Sequence, residues 1–454
     1  MQLKPKPPSV RPGLIAASCI LLAATGVRAQ DLATPAAEAE GDNGQIDWLF
    51  DSALAYYHEN GRIQAIEPII NVSKDDGDGE LINYNLTFDS LTGSSPNGAL
   101  TSNKPQTFAG PSGKTLSSAP HTYTTSSGQS VVEKASVYTT APGQLPVDPN
   151  YHDQRLALAG SWQLPLSRVT RWSFGGKGSF EHDFLSATAN ASIEHDFNEK
   201  NTTVLFGIND ESDSLHPIGG TPVPASDYAL FEKTGHESKN GVGVLLGVTQ
   251  VINRRWLAQL NASADRFNGY LNDPYKIMSV IDSTGNTTGY LYERRPNERT
   301  RESLYLENRV GWQRMSTALS LRYMTDDWQI HSDTAQVRLR WWNSGLTQYW
   351  EPTVRWYQQS AADFYQPWIS DTAAPRLTYA SADARLGAFQ ALTFGVKYGI
   401  KLDEELDQPG SEFSVRLEYY QQTMQGKLPA PGALQGLNLY PGLKSILLQF
   451  GFSY

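Results

Sequence analysis

The chain has 454 residues, a net charge of −10 and a negative mean hydropathy. No apolar run after residue 30 approaches the roughly 20 residues of a helical span, so a helical membrane protein is excluded. The acidic balance argues against a nucleic-acid partner. With 11 Trp, 22 Tyr and 38 Gly, the composition suits a transmembrane barrel: aromatic girdles, an apolar outer belt and a polar interior.

Lys4, Lys6 and Arg11 precede an apolar run from Leu14 to Val27, and Val27-Arg28-Ala29 places small residues where signal peptidase needs them. Residues 1–29 therefore read as a signal peptide, with export to the outer membrane of a Gram-negative cell. Cys19, the one cysteine, lies inside that run, and lipoprotein processing there is the lesser alternative. A chain cleaved before Gln30 holds no cysteine. That excludes disulfides, thiolate metal sites, covalent c-type haem and a cysteine nucleophile. Residues 30–46 read as a periplasmic linker and 47–454 as the barrel.

From Trp48 onward, segments of about ten residues alternate apolar and polar. Ile82, Tyr84, Leu86 and Phe88 oppose Asn83, Asn85, Thr87 and Asp89; Ala335, Val337, Leu339 and Trp341 oppose Gln336, Arg338 and Arg340. About seventeen such segments occur, the last five near 346–359, 379–388, 391–402, 411–424 and 443–454. Bacterial barrels close with even numbers, so 16 or 18 strands are expected, with the miscounted segment in the last hundred residues. The closing stretch puts Ile446, Leu448, Phe450, Phe452 and Tyr454 on one face and Gln449, Gly451 and Ser453 on the other. This is the pattern of a terminal barrel strand that hands the chain to the barrel-assembly machinery. The fold class expected is all-β: a transmembrane antiparallel up-and-down β-barrel of about 16 to 18 strands with one long loop or plug segment.

With the N-terminus in the periplasm, short turns at 165–167, 198–200, 253–254 and 343–345 lie inside, and long connections after residues 90, 213, 270 and 359 lie outside. Residues 425–441 break this scheme, falling as a long periplasmic turn. Residues 91–150 are rich in Ser, Thr, Gly and Pro and have little apolar period, so they form either a surface excursion or a segment folded into the lumen.

Charges on the polar parity are the main candidates for function. Arg322, Arg338, Arg340, Glu351, Arg355, Asp383, Arg385, Arg416 and Glu418, with Glu67, Glu307 and Arg309, fall on inward positions. They either pair and stiffen the lumen or leave a charged constriction that sorts solutes; the excess of Arg then favours anions. Arg294, Arg295, Arg299 and Arg301 read as a solvated rim facing lipopolysaccharide, with an anion-attracting mouth as the sharper alternative. Asp75, Asp76, Asp78 and Glu80 offer calcium-type oxygens on a Gly-permitted turn but lack EF-hand spacing, so a solvated turn is the preferred reading. His182 and His195 each sit in an EHD triplet assigned to the ends of neighbouring strands, a weaker metal candidate. No GxSxG, HExxH or P-loop is present, so no catalytic residue, enzyme activity or cofactor is expected.

The blocks IEPIINVSKDDGDGELINYNLTFDSLTGSSPNGA from Ile66, KPQTF from Lys104, GYLNDPYK from Gly269, ERRPNERTR from Glu293, RWYQQSAADFY from Arg355 and SADARLGAF from Ser381 resemble the outer-membrane family catalogued as domain of unknown function 3570. The resemblance implies a barrel and no reaction. It also implies a genomic association with periplasmic flavin-transfer and thioredoxin-like components. Two functions are expected as alternatives: a channel for small anionic or cofactor-like solutes, or a non-conducting scaffold for periplasmic redox or flavin-handling partners.

Overall fold

The computed structural model describes residues 47–110, 121–124, 130–133, 136–230, 232–402 and 411–454. The expected signal peptide and linker lie outside them. Among the described residues, sixteen strands pair each with the next, and the last pairs with the first, closing an antiparallel barrel. They are β1 Asp47–Glu59, β2 Gln64–Asp75, β3 Leu81–Thr92, β4 His152–Pro165, β5 Thr170–Phe180, β6 Phe184–Phe197, β7 Thr202–Leu215 and β8 Glu237–Asn253. The second half comprises β9 Trp256–Gly269, β10 Glu298–Gly311, β11 Met315–Asp326, β12 His331–Trp342, β13 Gln348–Gln359, β14 Phe389–Lys401, β15 Glu412–Met424 and β16 Leu443–Ser453.

The wall follows directly from the alternation. On β8, Val242, Val244, Leu246 and Val248 face outward and are exposed, while Gly241, Gly243, Leu245 and Gly247 face inward and are buried. The same holds around the circumference, so large exposed apolar side chains form a continuous outer belt. In water such a surface would aggregate; in lipid it is the stable arrangement. Trp48, Phe50, Trp162, Trp172, Phe197, Trp256, Trp312, Trp341, Trp350 and Tyr454 cluster towards the short-turn end, where amphipathic rings prefer the interface. The β6–β7 turn is so tight that Asn198, Glu199 and Lys200 take positive φ of 51°, 54° and 66° in succession.

The segment 379–388 is no barrel strand. It belongs to the connection between β13 and β14, touching its neighbours through the isolated bridges Arg294↔Ala380 and Tyr365↔Ser381 and then turning through a 3₁₀ turn, Ala384–Leu386. The Asp383 carboxylate accepts from Arg385 N and ends the extended run. Removing this segment gives the even count and reverses every later parity. Residues 425–442 therefore join the long connections at the outer end and are not a periplasmic turn.

Those long connections pack on one another. Ala99, Phe108 and Tyr138 from the β3–β4 connection bury against Ile277 and Tyr292 from β9–β10, with Tyr228 from β7–β8 alongside. Leu100, Ile281 and Leu434 join β3–β4, β9–β10 and β15–β16. A three-stranded sheet of Ile277–Ile281, Thr287–Tyr292 and Ile369–Ser370 lies within this assembly. Strands far apart on the circumference thus send loops to a common apolar centre, which forms a cap across the outer mouth.

Candidate functional site

Two polar regions are built on this frame: a cationic lumen wall on β10–β15, and a buried ionic cluster in the cap.

On the wall most basic side chains are matched. Arg299 pairs with Asp326 at 2.5 Å, Arg301 with Asp265 at 3.2 Å, Arg340 with Glu351 at 2.6 Å, Lys397 with Glu412 at 3.5 Å and Arg416 with Glu418 at 3.3 Å, while Arg309 pairs with Glu307. Tyr349, fully buried, organises the periplasmic part: its hydroxyl donates to Glu412 at 2.6 Å, and the Arg340 guanidinium lies 4.4 Å from its ring centre. Gly399 leaves the space that the Tyr349 ring occupies. Sequence patterns did not single out Tyr349, Lys397 or Glu412, although Lys397 and Tyr349 sit on inward parity and could have been found by register.

Arg322, Arg338 and Arg355 are different, since among the described residues none of them makes an ion pair or a hydrogen bond. They lie on three adjacent strands, where Arg322 pairs in register with Thr334, Arg338 with Ala318 and Thr353, and Arg355 with Gln336. Strand spacing puts their Cα atoms roughly 8 to 14 Å apart. Two positive charges about 10 Å apart repel by about 0.4 kcal/mol in water and about 1.7 kcal/mol at an effective dielectric of 20. The group is tolerable in a wet lumen and becomes attractive once an anion enters. Facing it across the barrel, β2–β6 present the neutral donors and acceptors Asn71, Asn83, Asn85, Ser161, Ser173 and Asn190 together with the ion pairs of Arg155 with Asp89 and of Arg171 with Glu194 and Asp196.

Asp383 and Arg385 belong to the cap and not to the strand wall, contrary to the parity reading. Gln359, inward at the top of β13, donates to Arg385 O at 2.9 Å and to Gly387 O at 2.8 Å, which draws the turn over the lumen. Arg295 pairs with Glu293 at 2.8 Å and Asp383 at 2.9 Å; Arg385 pairs with Asp383 and Asp273, each at 2.6 Å. Lys276 is buried on Ser95 Oγ at 2.9 Å and on Pro96 O. Burial pushes the Glu293 carboxyl up, with Arg295 opposing it. For Asp383 burial acts in the same direction, but Arg385, Lys276 and Arg295 outweigh it and hold the carboxyl well below its ordinary value. The expected basic rim is therefore corrected: Arg295 is interior to the cap, Arg299 and Arg301 are paired on the lumen face, and Arg294 lies over the Tyr379 ring at 5.9 Å.

The two EHD triplets are at opposite ends of β6 and cannot form one cluster. His195 faces outward, edge-on to the Phe197 ring at 4.5 Å and hydrogen-bonded to Thr170, while Glu194 and Asp196 face inward on Arg171. At the other end, Glu181 and Asp183 join Asp153, their oxygens all within 4.8 Å of one another, a hard donor set of the kind a divalent cation takes. The Tyr275 hydroxyl donates to Asp183 at 2.5 Å, and burial together with Asp153 pushes Glu181 up to about 7. In the β2–β3 turn the acidic candidates are engaged locally: Asp75 and Asp78 accept from Gly77 N and Glu80 N, Asp76 pairs with Lys74 at 2.7 Å, and Glu80 accepts from Trp162 at 2.6 Å.

The closed barrel, its outer belt and the positions of the quoted blocks agree with a family model matching residues 12–454, described as a protein of unknown function, DUF3570. The chain belongs to this family. Of the DUF3570 sequence blocks, those from Gly269, Glu293 and Ser381 supply the charged groups of the cap cluster, and the first block supplies Ser95 and Pro96. No curated protein matches the chain. Among solved structures, Pseudomonas aeruginosa OpdK with vanillate aligns at 9% identity over 90% of this chain and 99% of that one, with a TM-score of 0.36. Pseudomonas aeruginosa OccK2 (OpdF) with glucuronate gives 9%, 90%, 98% and 0.38; a bacterial polysaccharide outer membrane secretin gives 9%, 90%, 98% and 0.40. At such scores the architecture rests on the chain's own strand pairing. This DUF3570 member is a closed, sixteen-stranded antiparallel barrel with an apolar outer belt.

Proposed function

We propose that the barrel is a channel for small solutes that prefers anions, with the cap limiting entry from outside. The observation that carries this reading is the unpaired trio Arg322, Arg338 and Arg355 on a wall where the other arginines of β10–β15 have carboxylate partners. A guanidinium that makes no hydrogen bond or ion pair within the protein keeps its full fork for carboxylate or phosphate oxygens. Weak, repeated contacts along a wet wall allow entry without trapping. Liposomes carrying the refolded protein should take up small dicarboxylates faster than neutral sugars of equal size. Replacing Arg322, Arg338 and Arg355 by Ala should abolish that difference; equal uptake by the unaltered protein would defeat the proposal.

A second reading, a non-conducting scaffold for periplasmic redox or flavin-handling partners, is favoured by the loop packing across the mouth. Deleting residues 95–148 separates the two. A rise in uptake supports a capped channel; silence from both proteins supports the scaffold.

A further inference from the structure

We infer that a cleft on the outer wall at the periplasmic rim binds the phosphate headgroup of a glycerophospholipid. The cleft, of about 380 Å³, is lined by Arg255, Trp312, Gln313, Arg314, Met315 and Trp341. It falls within the lower range of volumes found for small-molecule sites, and it is open towards the membrane.

Its geometry is fixed by backbone. Gly311 N donates to Arg255 O at 2.7 Å, tying the β8–β9 turn to the end of β10, and Trp342 N donates to Arg314 O at 2.8 Å, tying the β10–β11 turn to β12. Met315 and Trp341 are cross-strand partners on the outward face, and Trp341 is 63% exposed. Two arginines are thereby held at the edge of an apolar floor made by Trp312, Met315 and Trp341.

Neither the Arg255 nor the Arg314 side chain has a hydrogen bond or ion pair among the described residues. Their backbones are anchored while their guanidiniums stay unmatched. At the depth of an aromatic girdle the counter-charge at hand is a lipid phosphodiester, whose oxygens fit the guanidinium fork. The apolar floor selects lipid over free phosphate, since it would sit against glycerol and the first acyl carbons. Position at the short-turn end selects phospholipid over lipopolysaccharide. This site is independent of whether the lumen conducts.

The full-length barrel, purified in detergent and checked for closure by its heat-dependent migration, is titrated with phosphatidylglycerol, and bound lipid is counted by native mass spectrometry. The unaltered protein should bind one molecule preferentially; Arg255→Ala with Arg314→Ala should weaken that binding about tenfold. Arg314→Lys, which keeps the charge without the fork, should weaken it by about threefold. Arg254→Ala, in the same turn but outside the cleft, should leave it unchanged. Should the double variant fail to close, Arg314→Lys decides. Unaltered affinity in the Arg255/Arg314 variants, an equal loss in Arg254→Ala, or complete displacement by millimolar inorganic phosphate would each overturn the inference.

Discussion

Glu181 shows at the level of one residue how burial converts into pH dependence. Its carboxyl moves from the ordinary 4.5 to about 7 because it is buried beside Asp153, with Arg155 opposing and Asp183, Asp89 and Tyr275 around it. The folded barrel therefore binds more protons than the unfolded chain between those values, and stability falls as pH rises through that window. Glu181→Gln should melt above the unaltered protein at about pH 8 and with it at about pH 4; a constant offset would contradict the assignment. In the cap, Arg295→Met leaves the Glu293 and Asp383 carboxylates without one shared partner, which should cost about 3 to 5 kcal/mol locally. Hydrogen exchange at 277–281 should then quicken while the barrel strands stay protected. On the lumen face, Gly399→Val drives a side chain into the Tyr349 ring and should destabilise by about 1 to 3 kcal/mol in a chemical melt.

At the scale of elements, strand identity was legible because lipid on one side and water on the other impose a period of two on every crossing. β16 follows its sequence pattern residue by residue, with Ile446, Phe450 and Phe452 exposed outward and Ser445 buried inward. The one misread strand fails for a local reason. Ala380, Ala382, Ala384 and Leu386 alternate with polar residues, but Ala380 and Ala382 bury in the cap and Asp383 caps a turn, so the period reflects loop packing and not a wall. The outward position should tolerate charge according to depth. Leu246→Arg, mid-belt on β8, should cost about 2 to 4 kcal/mol on folding into vesicles, whereas Ser238→Arg, near the outer end of the same strand, should cost about 0 to 1 kcal/mol. Equal penalties would contradict the assigned belt.

Across the whole molecule, the inward charges were legible as a set from parity, but their partners were not, since pairing depends on register between strands far apart in sequence. Arg338 and Arg340 look equivalent on β12, yet Arg340 is held by Glu351 and Arg338 is unpaired. The cap was less legible still: Asp273, Lys276, Glu293 and Asp383 come from loops whose composition carries no period, and only the fold brings them together. The result is a barrel with a wall on β2–β6 whose charges are largely paired, as in Arg155 with Asp89 and Arg171 with Glu194 and Asp196, a cationic wall on β10–β15 and an ionically locked cover. The most direct test is the reversal potential of single channels in a potassium chloride gradient. An anion-preferring lumen gives a sign showing chloride preference that moves towards zero when Arg322, Arg338 and Arg355 become Ala; cation preference, or a potential indifferent to those three residues, would rule it out.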